Sequence, residues 1–463
     1  MFRSLILAAC ALVALVQPAY AGDVTIEKYD IEVSKDFNVP YAGIYANQFP
    51  DGFTIGIGSG MTYIGRAHDD NSRVFYAIGD RGPNANAPKY EEGGTAYKTK
   101  MFPAPNYTPS FGAIRVKDGH AILSSLIPLR NSAMKPISGR AIPRGMVGST
   151  GETPLDDSLA KLSFDKDGLD TEGIAIDRKN NRHLWICDEY GPFIAKIDGD
   201  TGRIIKKYAP GKELPAIAAK RQPNRGFEGI AVTPSNKVLT AIQSICDVDG
   251  KIKKSKATFI RLLLLDPATG SVRQFAYPHN RDDYKLSRDA KIGDLHALSE
   301  TKFILIERGK NADGKTRIPF YVIDIAEATD ISGIKTTDNK ELETLSDRSK
   351  VEELGVQYVK KTQLFDLKDY GWRPGKAEGV AVLPDMRTIA VTSDNDFGFT
   401  YKITNPAKDA DGNPVSKIKN YTVAASGQVK YNGKPVDTKV ELVPTDTASK
   451  LWIITLPKRI ALN

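Results

Sequence analysis

The chain has 463 residues, a formal net charge of +8 at pH 7 and a charged-residue content of 26%. These values are ordinary for a soluble globular protein and exclude disorder on a large scale. The sequence has no basic helix, zinc finger or block of Lys and Arg, so nothing indicates nucleic-acid binding. The positive charge favours acidic partners such as phosphorylated or carboxylated molecules, although solubility alone also explains it. The oligomeric state is left open, with a monomer as the simplest expectation.

The first 21 residues have the features of a secretory signal peptide. Arg3 provides the positive start, residues 4–16 form an apolar stretch too short to span a membrane, and residues 19–21 match a small-x-small cleavage site. Cleavage after Ala21 predicts a mature chain of residues 22–463, located in the periplasm or outside the cell. Residues 7–10 also resemble a lipoprotein box with Cys10 as the lipid carrier, but cleavage there would leave an unusually short apolar segment. No later stretch is long and apolar enough to span a bilayer.

Strand patterns dominate the rest of the chain. Short runs rich in Val, Ile, Leu and aromatic residues are bounded by Gly, Pro, Asn and Asp, which is typical of β-strands and turns. In chain order the clearest runs cover residues 73–82, 183–191, 237–244, 259–270, 302–309, 320–325, 388–398 and 450–459. Long amphipathic helical patterns are scarce. The pattern therefore predicts an all-β fold.

Three segments repeat one arrangement, in which a glutamate and a glycine stand directly before an apolar strand. The pairs are Glu172-Gly173, Glu228-Gly229 and Glu378-Gly379. Looser copies around Gly60 and Gly293 bring the number of recognisable units to five. Residues 441–459, joined by residues 23–33, are expected to form a sixth. Repeated strand meanders are the signature of a β-propeller, so the sequence predicts a single six-bladed propeller closed by strands from both termini.

In a propeller, the first strand of every blade enters the central channel from the same side. The repeated glutamates are therefore expected to form a ring of carboxylates around one mouth of the channel, and the glycines allow neighbouring strands to approach closely. Acidic residues that end the returning strands would lie beside this ring. In the alternative interpretation, the carboxylates accept hydrogen bonds from the neighbouring blade and only lock the ring. The candidate catalytic residues are Glu172, Glu228, Glu378, Glu189 and Glu307.

Like charges around one axis raise one another's pKa values unless cations lie among them. Basic residues of the same motifs can supply this charge or clamp an anionic substrate. For the histidine of the fourth unit, a packed core position is the simpler interpretation. The candidate substrate-binding residues are Arg81, Arg225, Arg308, Lys376 and His296.

A bound metal is the second source of positive charge at the mouth. Clustered carboxylate and carbonyl oxygens suit a hard ion, and calcium is the candidate cofactor. The candidate metal ligands are Asp80, Asp188, Glu189, Asp394 and Asp396.

Other chemistries lack their motifs. The chain has no Gly-x-Ser-x-Gly, His-Glu-x-x-His or Cys-x-x-Cys, which argues against that class of serine hydrolase and against the common zinc sites. Cys187 and Cys246 lie in apolar strand contexts, where they would either pair in an oxidising compartment or stay as buried thiols. Residues 131–163 and 332–361 are long and weakly patterned, and they would be either lids over the site or surface excursions.

Taken in chain order, these motifs resemble one family. The segments "DTEGIAI", "LWICDEYGPFIAKID", "NRGFEGIAVTP", "GDLHAL", "ILIERG", "KAEGVAVLPD" and "SDNDFG" are similar to the esterase-like phytase family of secreted bacterial proteins, over about residues 56 to 399. The resemblance implies a phytase-like propeller with ester-cleaving activity. Alkaline phytases, which use calcium and a basic pocket at a propeller mouth, are similar in architecture alone, since no stretch here matches their individual ligands.

The sequence therefore predicts a secreted or periplasmic hydrolase of esters, with phosphate esters as one candidate class. Its substrate would be a small anion or ester, bound at a propeller mouth that carries acidic and basic groups. The alternative is a non-catalytic propeller that binds a ligand, glycan or protein and whose carboxylates are structural.

Overall fold

The computed structural model describes residues 24–279 and 283–462. The predicted signal peptide, its cleavage site and Cys10 lie outside the described residues. In the described part of the chain there is one α-helix, α1 (Arg348–Glu352). Short 3₁₀ helices cover Lys35–Phe37, Ala46–Gln48, Ala216–Lys220, Ser287–Asp289, Leu342–Thr344, Leu367–Tyr370, Asp396–Gly398 and Ile418–Asn420. None of the described helices is long and apolar enough to cross a membrane.

β-Strands form nearly all of the regular structure. The strands of the first half are β1 (Thr25–Glu32), β2 (Gly60–Arg66), β3 (Arg73–Ile78), β4 (Lys89–Glu92), β5 (Thr95–Tyr97), β6 (Thr99–Met101), β7 (Ser110–Lys117), β8 (His120–Pro128), β9 (Thr153–Leu155), β10 (Thr171–Ile176), β11 (His183–Asp188), β12 (Phe193–Asp198), β13 (Ile204–Tyr208), β14 (Phe227–Val232) and β15 (Val238–Ile242). Those of the second half are β16 (Phe259–Leu265), β17 (Val272–Pro278), β18 (Lys291–Ala297), β19 (Lys302–Lys310), β20 (Thr316–Arg317), β21 (Pro319–Asp324), β22 (Lys360–Asp366), β23 (Val380–Val382), β24 (Thr388–Thr392), β25 (Phe399–Thr404), β26 (Tyr421–Val423), β27 (Val429–Tyr431), β28 (Lys434–Pro435), β29 (Lys439–Pro444) and β30 (Lys450–Thr455).

Twenty of these strands form five four-stranded meanders, which we number as sheets 1 to 5. Sheet 1 has the strand order β2-β3-β7-β8, sheet 2 β10-β11-β12-β13, sheet 3 β14-β15-β16-β17, sheet 4 β18-β19-β21-β22 and sheet 5 β23-β24-β30-β1. Sheets 1 and 5 are continuous, because β1 pairs in parallel with β8. The smaller sheets, built from β4 to β6, β9 and β25 to β29, lie outside this set.

The first strands of the five sheets lie next to one another in a closed ring, β2-β10-β14-β18-β23. The arrangement is propeller-like, as the repeats predict. The prediction of six blades is not confirmed, because the strands expected to build a sixth complete the fifth: β30, from the C-terminal region, pairs with β24 on one side and with the N-terminal β1 on the other.

Apolar side chains fill the spaces between consecutive sheets. Strands such as β14 and β16 are buried along their whole length because both of their faces are covered. One hydrophobic cluster lies between each pair of neighbours, represented by Phe111 and Ile186 (sheets 1 and 2), Trp185 and Leu263 (2 and 3), Phe275 and Phe303 (3 and 4), Ile306 and Val391 (4 and 5) and Phe75 and Ile453 (5 and 1). Cys187 and Cys246 are buried and unpaired.

Glycine permits the close approach of the first strands, as the sequence predicts. A Cβ atom on Gly229 would stand 2.5 Å from the Cα of Asp294 in β18, and one on Gly60 would stand 2.5 Å from the Cα of Gly173 in β10. Carbon atoms do not pack at such distances. Any larger residue at these positions would therefore push neighbouring sheets apart.

Candidate functional site

Acidic residues converge at the end of the ring where β10 and β14 begin, which we call the mouth. Asp170 and Glu172 stand at the start of β10, and Glu189 follows the end of the antiparallel β11. The start of one strand and the end of its antiparallel neighbour meet at the same edge of a sheet. As a result, Asp170, Glu172 and Glu189 each place a carboxylate oxygen within 4.8 Å of the others. We refer to these three residues as the carboxylate trio.

A β-bulge orients the repeated glutamate. The pairing of β10 with β11 skips Glu172, which is the extra residue between Thr171 and Gly173. Glu228 has the same place in β14, where the pairing with β15 is also irregular. In a regular strand, side chains point alternately to the two faces of the sheet, and the extra residue of a bulge does not follow this alternation. Both carboxylates therefore avoid the apolar spaces between the sheets.

The trio has a surplus of negative charge. Asp170 is fully buried and forms an ion pair with Arg81 at 3.0 Å, whereas Glu172 and Glu189 have no hydrogen-bond or ion-pair partner among the residues described. Burial raises the pKa of the Glu172 carboxyl well above its ordinary value, and the nearby charges of Glu228 and Asp170 raise it further. Burial also raises the pKa of Glu189. A cation at the trio would relieve this repulsion.

Asp188, one of the predicted metal ligands, uses both of its carboxylate oxygens to hold the backbone. Its Oδ1 accepts a hydrogen bond from the backbone amide of Asp170 at 2.6 Å, and its Oδ2 accepts one from Gly191 at 2.8 Å. Burial raises the pKa of Asp188 to about 7, against the effect of these two amides. With both oxygens occupied, the side chain fixes the entry to β10 and the turn after β11.

Glu228 and Glu378, from sheets 3 and 5, share a cation. The Nη2 atom of Arg308 pairs with Glu228 and lies 3.6 Å from Glu378. Gln243 donates a hydrogen bond to the second oxygen of Glu228, and the Nζ of Lys376 lies 3.1 Å from Glu378. Burial raises the pKa of Glu378, but Lys376 and Arg308 outweigh it and lower the value. These two carboxylates are thus neutralised by the protein itself.

Three further predicted metal ligands lie on the side of the mouth formed by sheets 1 and 5. Burial raises the pKa of Asp80, and the neighbouring carboxylates add to this effect. Burial likewise raises the pKa of Asp394 to about 7. The Asp396 side chain is 78% exposed. None of the three belongs to the carboxylate trio, in which Glu189 is the sole member of the predicted ligand set.

Arg81 lies at the mouth, where its guanidinium group pairs with carboxylates of the protein. Besides its ion pair with Asp170, it lies 3.9 Å from Glu152 and donates a hydrogen bond to Asn224 at 3.3 Å. The amide of Asn224 in turn donates to Glu152 at 2.9 Å. The weakly patterned stretch 131–163 therefore contributes a wall of the site through Glu152.

Glu307 does not join the mouth, contrary to the sequence-based expectation. Adjacent strand residues point to opposite faces, and its neighbour Arg308 faces the mouth. The Glu307 carboxylate accepts hydrogen bonds from the hydroxyls of Tyr277 at 2.5 Å and Tyr284 at 2.7 Å, and it pairs with Lys361 at 2.9 Å. Tyr277 and Lys361 belong to β17 and β22, the outermost strands of sheets 3 and 4. Glu307 therefore links two sheets, which is the role of a lock.

His296 lies at the wrong end of the ring to bind a substrate at the mouth. β18 begins at Lys291 beside Arg308, and His296 stands five residues further along, roughly 16 Å away in an extended strand. Its charged neighbour is Arg178, which follows the far end of β10. Burial lowers the pKa of His296 to about 4, and Arg178 adds to the shift. The imidazole is therefore neutral at neutral pH.

Arg225 lies beside the mouth, and no carboxylate of the described residues comes within ion-pair distance of it. Its Nη1 donates hydrogen bonds to the backbone oxygen of Arg288 at 2.5 Å and to the hydroxyl of Ser244 at 3.4 Å. Burial lowers the pKa of Arg225, and the charge of Arg288 adds to the effect. Together with Lys291 and Arg308, it lines a cavity of 660 Å³ next to the mouth.

Sequence reasoning missed three residues of this region. Asp170 stands two positions before Glu172 in the same motif. A second acidic residue so close to the repeated glutamate was a signal for the site, but the strand pattern did not single it out. Glu152 comes from a stretch without any pattern. Lys291 is the first residue of β18, which belongs to the repeat without a Glu-Gly pair. Its position beside Arg308 follows only from the register of β18 and β19.

Comparison with known proteins identifies the family. The model of the phytase-like family, described as "Esterase-like activity of phytase", matches residues 55–397. The chain belongs to this family. The resemblance seen in the motifs is thereby confirmed, and the match includes every residue of the mouth described above.

A relative of this phytase-like protein is an uncharacterized secreted protein of Arthroderma benhamiae, 27% identical over 212 residues. The alignment covers 37% of this chain and 40% of the relative. Among solved structures, an α-L-arabinofuranosidase of Podospora anserina is 9% identical with a TM-score of 0.34, covering 93% of this chain and 98% of that one. A luciferin-regenerating enzyme is 10% identical with a TM-score of 0.32, covering 88% and 95%. At these TM-scores the two structural matches carry no weight for function.

Proposed function

We propose that this phytase-like protein is a secreted hydrolase that cleaves esters, phosphate esters included, at the mouth of the ring, with calcium held by the carboxylate trio. The observation that carries the proposal is the convergence of Asp170, Glu172 and Glu189 within 4.8 Å of one another. Family membership supports ester cleavage as the reaction class. Secretion is supported by the leader pattern of the first 21 residues and by the secreted relative.

The donor set of the trio fits a hard divalent cation. Carboxylate oxygens are the ligands that calcium prefers, and calcium takes about six to eight oxygens, so water or substrate oxygens would complete the shell. Glu172 and Glu189 are not neutralised by any described side chain, in contrast to Glu228 and Glu378. A bound cation lowers the pKa of a coordinated water and offsets negative charge in the transition state.

The other charged groups of the mouth orient the substrate. Arg308 and Lys376 contribute positive charge to the mouth while they hold Glu228 and Glu378 in position. Fixed cations that need no reorganisation stabilise the charge that develops on an ester during hydrolysis. Arg81 pairs with Asp170 at 3.0 Å and holds its carboxylate in place, which makes Arg81 a positioning residue for the trio.

The test is hydrolysis of a panel of chromogenic carboxylic and phosphate esters, with calcium and with a chelator. Glu172→Gln should lower kcat/KM by about 100-fold, the size of effect expected when a group that activates water is lost. It should also abolish calcium binding measured by calorimetry. The matched control is Glu353→Gln at an exposed position. Turnover that survives both chelation and Glu172→Gln would refute the proposed site.

A non-catalytic binding role is the second candidate. Asp188, Glu228 and Glu307 all have complete sets of protein partners, which favours structural duties for that part of the acidic set. If the whole mouth is structural, no ester of the panel is turned over, and calcium changes the melting temperature alone. The same two measurements therefore separate the two candidates.

A further inference from the structure

A cavity of 660 Å³ lies beside the mouth, and five of the thirteen residues that line it are basic. It lies where the starts of β14 and β18 meet the end of β19, next to the carboxylate trio but separate from it. A volume of this size suits a small molecule or one group of a larger one. Two aspartates, Asp289 and Asp313, also line it. The basic residues of the lining are Arg225, Lys285, Lys291, Arg308 and Lys310.

Lys291 and Arg225 form no ion pair with any carboxylate in the part of the chain that the structure describes. Lys291 has no hydrogen-bond or ion-pair partner among the described residues, and Arg225 donates to a backbone oxygen and a hydroxyl but to no carboxylate. Arg308 pairs with Glu228, yet its buried Nε has no hydrogen-bond partner. Positive charges gathered in a partly buried space repel one another unless an anion lies among them. The arrangement therefore points to an absent negative group.

The electrostatics of Lys291 agree with this geometry. Burial lowers its pKa to about 8, and the charges of Arg308 and Arg225 lower it further, while Glu228 and Glu189 act in the opposite direction. Asp289 lines the same cavity. At pH 7 and below, Lys291 is mainly protonated and can serve as a donor to an oxyanion.

We infer that this cavity is a binding site for an oxyanionic group, a phosphate or a carboxylate, with Lys291 and Arg225 as its main contacts. Lysine and arginine together offer a point charge and a planar fork of donors, the combination that recognises such groups. A free anion and an anionic group on a larger molecule present the same chemistry. The site is independent of the proposed ester hydrolysis, because it is tested by binding alone.

The first test is calorimetric titration with inorganic phosphate at pH 7 and low ionic strength. Lys291→Gln and Arg225→Gln should each raise the Kd of phosphate by about tenfold, the effect of losing one charge-assisted contact. Lys402→Gln, at an exposed position of β25, is the matched control and should leave the Kd unchanged. The inference is overturned if phosphate does not bind the wild type, or if all three variants bind it alike. Thermal melting of each variant shows that it is folded.

A covalent probe locates the site without relying on affinity. Pyridoxal phosphate carries an aldehyde and a phosphate, and pyridoxal carries the aldehyde alone. The amine of Lys291 adds to the aldehyde with loss of water, and borohydride supplies the hydride that reduces the imine to a stable secondary amine. Peptide mapping should show faster labelling of Lys291 by pyridoxal phosphate than by pyridoxal, with protection by inorganic phosphate. Equal labelling by the two probes, or labelling confined to other lysines, would overturn the assignment.

A competition experiment distinguishes the two sources of the anion. The monomethyl ester of an aliphatic dicarboxylic acid keeps one free carboxylate, and the dimethyl ester of the same acid has none. Each of the two esters is added to the phosphate titration. Displacement of phosphate by the carboxylated ester alone assigns the cavity to an anionic group of a larger molecule. If neither ester displaces bound phosphate, the cavity is a site for free anions. Displacement by the neutral ester as strongly as by the charged one would contradict recognition of an oxyanion.

Discussion

The carboxylate of Asp294 in β18 accepts a hydrogen bond from the backbone amide of Val380, 3.0 Å away in β23. The same carboxylate accepts from the amide of Ile230 in β14 at 3.3 Å and from that of Met61 in β2 at 3.4 Å. One buried side chain thus connects the first strands of four of the five sheets. Burial raises the pKa of Asp294, and the amides that it accepts from act against this shift.

Removal of this carboxylate should destabilise the fold severely. In Asp294→Ala, three amides of other sheets lose their acceptor in a dry interior, so we expect the free energy of unfolding to fall by at least about 3 kcal/mol. Denaturant unfolding measures the change. Asp338→Ala, at an exposed position, is the control and should stay within about 0.5 kcal/mol of the wild type. Equal stability of the two variants would show that Asp294 does not hold the ring.

The close packing of the first strands gives a second prediction. Gly229→Ala should lower the melting temperature, because its Cβ would stand 2.5 Å from the Cα of Asp294 and 2.7 Å from the backbone oxygen of Gly293. Both obstacles are backbone atoms that cannot move aside. Gly375→Ala is the matched control, since its Cβ would meet nothing within 4 Å and its φ is not positive. Unchanged melting of Gly229→Ala would mean that the ring has more room than the structure shows.

Glu228 and Glu172 occupy equivalent bulges but should respond differently to the loss of charge. Glu228→Gln removes the closer of the two carboxylate partners of the buried Arg308, so we expect a loss of about 3 kcal/mol in the free energy of unfolding. Glu172→Gln removes a charge that has no partner and is repelled by its neighbours, so stability without metal should stay the same or rise at pH 8. Chemical denaturation of the metal-free variants tests this, and a reversed order of stability would contradict the assignment.

Asp394 should make stability depend on pH. Its folded pKa of about 7 is raised above the ordinary value of 3.8, so the folded state binds more protons than the unfolded state between these values. The contribution of Asp394 is therefore present at low pH and is lost as the pH rises toward 7. Asp394→Asn should stabilise the metal-free protein more at pH 8 than at pH 5. A difference that is independent of pH would refute the shift.

Glu307 should matter for stability and not for chemistry. Glu307→Gln weakens the bonds to the two tyrosine hydroxyls and leaves the ammonium of Lys361 without a charged partner, so the melting temperature should fall. The specific activity of the folded fraction, on any ester that the wild type cleaves, should equal that of the wild type. A loss of kcat at full folding would return Glu307 to the set of catalytic candidates.

Local pattern was sufficient for several features of the site. The Glu-Gly repeat predicts glutamates at the entries of the first strands and the tight approach of these strands, because a glycine before a buried strand has a direct steric meaning. The bulges that orient the glutamates appear only in the structure. The repeat could not predict which carboxylates share partners. Arg308 bridges Glu228 and Glu378 across sheets 3 and 5, and this contact depends on how the sheets are placed around the ring.

By itself, the sequence determined the all-β class, the strand repeats, the family and the presence of acidic and basic residues near the starts of the first strands. Amino-acid composition and short-range periodicity are sufficient to predict these features. Only the tertiary structure decided that the terminal strands complete a fifth sheet, that Glu307 and His296 lie away from the mouth, and that Asp170 joins Glu172 and Glu189. Such outcomes depend on strand register and on side-chain direction between distant segments, and a shift of one residue in register sends a side chain to the opposite face of its sheet.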